Sequence, residues 1–214
     1  MPVSVIPTPS TAGVNKDATV LGRLVSLDTA LSLRLHTFFL SFVPHSLLIT
    51  LEITGDGRFW LPISIAFLLY PTTTSPHLHI HPFIFALLFG FLLDLVVVGA
   101  IKYSVRRPRP LYNKDMHAVV SVDIWSFPSG HSSRVFFIAC YFWLYDIGTM
   151  GLKLTDGLYG DGDSLIKMGV LVWAVVTSCS RVLLGRHFVV DVVAGAVLGV
   201  FQGLFVFYLF KSWV

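Results

Sequence analysis

Charge is scarce in this chain. Only 13% of its 214 residues are Asp, Glu, Lys or Arg, while 55% are hydrophobic; an average soluble domain carries about a quarter charged residues. So little polar surface excludes an ordinary soluble fold and identifies an integral membrane protein. Excess positive charge is also lacking, since 15 Lys+Arg against 12 Asp+Glu leave a net charge of +3, and a nucleic-acid partner is not expected. Cysteine is nearly absent: Cys140 and Cys179 both fall in apolar stretches, which argues against a disulfide framework and for two small packed hydrophobes. The opening MPVSVIPTPSTAGVNKDATV lacks a basic region followed by a short apolar core, so it does not read as a secretory signal. It is expected to be a flexible tail over residues 1–25, ahead of a single domain over 26–214. No repeat, low-complexity tract or domain linker interrupts that domain.

What is present is a series of apolar runs. A bilayer core takes roughly 17–25 apolar residues per helix, and six candidate stretches run at about 35–54, 59–71, 82–101, 132–149, 164–184 and 188–210, the first polar for a span and the second short. The expected fold class is therefore all-α, a polytopic bundle of six transmembrane helices. The stretch SLDTALSLRLHTFF from Ser26 mixes charges with apolar residues at helical spacing. It fits an interfacial helix or the first turns of span one. If spans four and five both cross, the connections from three to four and from five to six share one face. That parity gathers Lys102, Arg106, Arg107, Arg109, Lys114, Arg134, Arg181 and Arg186 with His117, His131 and His187. The positive-inside rule alone would call such a face cytoplasmic.

The cations nevertheless come in ordered strings. In KYSVRRPRP, Lys102 to Pro110, a mobile ammonium precedes planar guanidinium forks suited to phosphate oxygens. A snorkelling juxtamembrane cluster explains that string equally well when it is taken alone. In SFPSGHSSR, Ser126 to Arg134, Pro128 and Gly130 permit a tight turn into span four, whose free backbone N–H groups suit an anion; an ordinary capped helix start is the alternative. In SRVLLGRHFVVD, Ser180 to Asp191, His187 and Asp191 lie four apart and share a helix face. The carboxylate there can accept from the imidazole, fix its tautomer and leave the other nitrogen's lone pair outward. Three strings on one face suit phosphoryl transfer by a nucleophilic imidazole, with cations on the phosphate oxygens and a second histidine protonating the leaving oxygen.

Together the strings resemble the three signature motifs of the type 2 phosphatidic acid phosphatase (PAP2) superfamily: Lys102 with Arg109-Pro110, Pro128 to His131, and Ser180-Arg181 with His187 and Asp191. The resemblance implies that His187 is the nucleophile, Asp191 its partner and His131 the general acid. It further implies that Lys102, Arg109, Ser129, Gly130 and Arg181 bind phosphate, with no metal and no cofactor. The flanking residues are most similar to the branch that dephosphorylates presqualene and other polyisoprenyl diphosphates, multi-pass proteins of the endoplasmic reticulum and nuclear envelope. That implies an isoprenoid diphosphate or other lipid phosphate as substrate, the bilayer as partner, and a lumenal catalytic face. A broad phosphatidate or lysophosphatidate phosphatase is the nearest alternative. A non-catalytic scaffold or lipid-binding protein of the same fold is another, and so is a sugar-phosphate phosphatase. An anion transporter would want ionisable residues along a mid-membrane path, and only Asp94 offers itself. His77, His79 and His81 alternate in HLHIH, a spacing that a metal site shares with a solvated turn.

Overall fold

The computed structural model describes residues 19–69, 80–112, 124–145 and 162–212. Among these it forms seven helices: α1 (Val20–Phe39), α2 (His45–Thr54), α3 (Gly57–Leu69), α4 (Ile80–Val105), α5 (Gly130–Leu144), α6 (Gly162–Leu183) and α7 (Val189–Phe210). The all-α expectation holds. Three of the described helices are long and apolar enough to cross a bilayer, over Pro82–Val105, Ser164–Leu183 and Val189–Phe210. At 22 residues, α7 is about 33 Å long, close to the thickness of a hydrocarbon core.

Two expectations change. The first span, 35–54, is not one helix: α1 ends at Phe39, the chain turns through 40–44, and Pro44 precedes α2 in an extended conformation. Proline has no N–H and a fixed φ, so it starts a helix far more easily than it continues one. The ten-residue α2 reaches only about 15 Å. The tail expected through residue 25 gives way at Val20, where Thr19 Oγ1 accepts from Gly22 N–H at 3.1 Å and caps α1.

The tightest seam runs between α5 and α7. Gly195 and Gly199 recur one turn apart, and a Cβ on either would overlap the carbonyl oxygen of Ser129 or Ser133. Backbone therefore lies against backbone. At the same seam the N–H of Ser129 donates to Asp191 O at 2.9 Å, which holds the start of α5 beside the start of α7. Farther along the bundle, Phe83, Phe91, Phe137, Tyr141, Tyr145 and Phe210 form an aromatic core. Phe137 lies over Gly90, where a side chain would collide with its ring.

Candidate active site

The three strings converge at one end of the bundle. Lys102 arrives buried in the last turn of α4. Arg106, at φ 52°, then reverses the chain in the left-handed region that few non-glycine residues adopt. Beyond it, residues 107–110 run beside 125–126: Pro108 and Trp125 form an antiparallel bridge, and Ser126 N–H donates to Arg107 O at 2.8 Å. The Phe127–Pro128 peptide is cis. Ser129 Oγ accepts from Ser132 N–H at 3.4 Å and caps α5, so Gly130 and His131 head that helix.

After α6 the chain folds back tightly. Gly185 has φ +69°, a conformation that glycine adopts freely, and the N–H groups of Arg186 and His187 both return to Arg181 O at 2.9 and 3.2 Å. His187 is thereby buried, with Nδ1 2.8 Å from Ser126 O. A carbonyl only accepts, so Nδ1 carries the proton and the Nε2 lone pair is left for chemistry. Arg109 NH1 lies 3.5 Å from Nε2 and donates to Arg186 O at 2.9 Å. Burial first, and then the positive charges of Arg109, Arg181 and Lys102, hold the His187 pKa well below its ordinary 6.5. The imidazole therefore stays neutral, as a nucleophile requires.

Asp191 is placed differently from the sequence expectation. Its Oδ2 is 3.8 Å from His187 Nδ1, beyond hydrogen-bond range, and the Ser126 carbonyl takes the place expected for it. The physical reason is helix position. Asp191 is the third residue of α7, and Oδ2 accepts from Phe188 N–H at 2.9 Å across the helix start while Oδ1 pairs with Arg107 NH1 at 2.6 Å. At 3.8 Å it lies close enough to stabilise a positive charge placed on the ring.

Several participants lie outside the residues to which the family resemblance assigns a role. Arg107 bridges Asp191 and Asp28, at 2.6 and 2.7 Å, and lies over the Phe188 ring at 4.1 Å. Asp28 and Ser32 accept from the N–H groups of Val190 and Val189 at 3.1 and 3.0 Å, and so cap α7 from another helix. His36 Nδ1 meets Leu183 O at 2.7 Å, at the end of α6. Asp28, Ser32 and His36 thus form a one-turn-spaced stripe by which α1 straps the loop bearing His187. An anion at a helix start and an imidazole N–H at a helix end both complement the helix dipole.

His131 Nε2 and Arg181 Nε are buried without a hydrogen-bond partner among the described residues, as expected of groups that await a ligand. His131 lies within electrostatic reach of Arg181, Arg134, His187 and Lys102. Arg181 NH1 lies 3.0 Å from Glu52 Oε1 on α2, and Arg186 Nε is 3.5 Å from the same oxygen. Asp94 pairs with Arg134 at 3.1 Å and accepts from Ser133 Oγ at 2.5 Å. His77, His79, Lys114 and His117 lie outside the described residues, as does the side chain of His81. Among the described residues, no group of three or more His, Cys, Asp or Glu is arranged to hold a metal ion.

Residues 83–214 match the PAP2 superfamily, more than half of the chain. The chain belongs to that superfamily. PAP2 membership makes it a multi-pass membrane hydrolase of the metal-independent kind. It is 40% identical over 197 residues to the probable lipid phosphate phosphatase beta of Arabidopsis thaliana, covering 86% of this chain and 89% of that one. It is also 40% identical over 114 residues to lipid phosphate phosphatase gamma of the same organism, covering 52% of this chain and 46% of that one. Its fold is similar to the crystal structure of a transmembrane PAP2-type phosphatidylglycerolphosphate phosphatase from Bacillus subtilis. That likeness has a TM-score of 0.68 and 22% identity, and covers 92% of this chain and 89% of the other.

Proposed function

We propose that this PAP2 protein hydrolyses lipid phosphates through a phosphohistidine at His187 Nε2, with isoprenoid diphosphates such as presqualene or farnesyl diphosphate as substrates. The observation that carries the reading is the bond from His187 Nδ1–H to Ser126 O, which leaves the Nε2 lone pair beside Arg109. Lys102, Arg109, Arg181, Ser129 and the N–H of Gly130 would hold the phosphate oxygens. As the Nε2–P bond forms, the P–O bond to the lipid breaks and His131 gives its proton to the departing oxygen. The Asp191 carboxylate stabilises the positive charge that develops on the ring. A water then loses a proton to His131 and attacks phosphorus, the N–P bond breaks, and phosphate leaves with the lone pair restored to Nε2.

The same proposal has α3 and α5 cross the bilayer beside the three long spans, with α1 and α2 lying at the catalytic end that both contact, and includes the endoplasmic reticulum with a lumenal catalytic end. A second reading, a broad phosphatidate and lysophosphatidate phosphatase, is favoured by the 40% identity to relatives named lipid phosphate phosphatases. The test is phosphate release by detergent-purified protein from polyisoprenyl diphosphates, phosphatidate, lysophosphatidate and glucose 6-phosphate, with and without EDTA and vanadate. We expect release from isoprenoid diphosphates, insensitivity to EDTA, inhibition by vanadate and no turnover by His187→Ala. Full activity of His187→Ala would overturn the mechanism. Preference for phosphatidate would favour the second reading.

A further inference from the structure

We propose that Glu52 is a displaceable counter-anion of the phosphate site, a carboxylate that occupies Arg181 and Arg186 in the empty enzyme and yields to the phosphoryl group. The proposal rests on the reading above that Arg181 binds phosphate. Glu52 Oε1 stands 3.0 Å from Arg181 NH1 and 3.5 Å from Arg186 Nε. Both guanidiniums are buried, at 1% and 7% exposure. Two buried like charges this close repel, and a shared carboxylate offsets that repulsion.

An incoming phosphate brings the same kind of oxygen and at least as much charge to the same guanidinium. Two anions on Arg181 repel each other across a short, poorly screened distance, so one must move. The structure favours Glu52 as the mover. The end of α2 is fixed, because Trp60 Nε1 donates to Thr54 O at 2.7 Å, Trp173 Nε1 to Thr54 Oγ1 at 3.1 Å and Arg134 NH1 to Gly55 O at 3.4 Å. The Glu52 side chain is 21% exposed, which gives it an outlet that buried Arg181 lacks. Breaking the Glu52 contact is then a cost carried by every anion that enters: substrate, vanadate, and the phosphate product, which the enzyme must let go. Glu52 thus stabilises the empty protein and weakens anion binding, two effects of opposite sign.

That opposition separates the proposal from a structural role. Binding of inorganic phosphate and of orthovanadate is measured calorimetrically on the detergent-purified full chain, for wild type, Glu52→Gln, Glu52→Ala and Arg181→Ala. We expect Kd to fall about tenfold in Glu52→Gln, equivalent to about 1.4 kcal/mol, and to fall also in Glu52→Ala, while the ligand-free Tm of both drops. Added phosphate should raise Tm more in these variants than in wild type. Unchanged or weaker binding in both Glu52 variants, the result of a carboxylate that merely orients Arg181, overturns the proposal. If Arg181→Ala weakens phosphate binding while the Glu52 variants do not tighten it, the counter-anion role alone falls. If Arg181→Ala binds as wild type does, the phosphate-site reading falls with it.

Discussion

Arg107, and not the imidazole of His187, makes the short contact to Asp191, at 2.6 Å against 3.8 Å. The carboxylate is fully buried and its charge is compensated by a guanidinium that also reaches Asp28. Removing one partner of a buried pair leaves the other uncompensated, which costs about 3–5 kcal/mol. Arg107→Ala should therefore unfold at markedly lower temperature. In whatever folded fraction remains, kcat should fall more than KM rises if, as proposed, Asp191 stabilises a charged His187 ring during reaction. Arg107→Lys should recover part of kcat. A loss confined to KM would mean that Arg107 binds substrate directly.

The strap from α1 yields a separable prediction. Asp28 caps Val190 N–H and pairs with Arg107, whereas Ser32 caps Val189 N–H and donates to Asp28 O within its own helix, with no charge at stake. Loss of a cap costs about 1 kcal/mol. Ser32→Ala should lower stability by about that amount, and Asp28→Ala by clearly more, because it also strips Arg107 of a counter-charge. Asp28→Asn retains the capping oxygen and should fall between them. Thermal unfolding in detergent, read by circular dichroism, ranks the three; equal losses would show that the Arg107 contact contributes nothing.

How much of this was visible in the sequence depends on how local each feature is. The three strings were legible because each sits at a helix end, where a few consecutive residues set the geometry, and parity alone brought those ends together. The bounds of α6 and α7 followed from continuous apolar runs. The broken first span did not, since the apolar run continues across 40–44 and composition does not register a turn before Pro44. Asp28, Ser32 and His36 were legible only as polar interruptions of an amphipathic helix. Their four-residue spacing was the available signal, but their partners at 183–190 are distant in sequence. The hydrogen bond expected between His187 and Asp191 is missing for the opposite reason: the spacing is right for a contact, at 3.8 Å, but a nearer demand, the start of its own helix, takes one of the carboxylate oxygens.

The pH profile follows from the surroundings of His187. Its folded pKa lies below 6.5 because of burial and neighbouring cations, and only the neutral ring attacks. Activity on this account persists as pH falls through 6.5 and is lost only on passing the lower folded value. The acid limb of kcat/KM, which reports the free enzyme, is thus expected below 6.5. Arg109→Gln removes a positive charge beside Nε2, so it should move that limb upward as well as lowering the rate. An acid limb at or above 6.5 in the wild type, unmoved by Arg109→Gln, would contradict the assignment.

The α5–α7 seam supplies a prediction independent of chemistry. At Gly199 a methyl group would overlap the Ser133 carbonyl oxygen, a backbone atom that no rotamer change can withdraw. Gly199→Ala must therefore push α5 from α7, and overpacking of this kind costs about 1–3 kcal/mol. Gly169 on α6 is the internal control, because no atom of the described residues lies within 4 Å of its added Cβ. There the better helix propensity of alanine, worth up to about 1 kcal/mol, acts unopposed. Gly169→Ala should hold or raise Tm while Gly199→Ala lowers it. The second loss should also reach the site, because the seam that Gly199 closes carries Ser129 against Asp191. A Gly199→Ala protein with wild-type Tm and kcat would show that the two helices do not meet this closely.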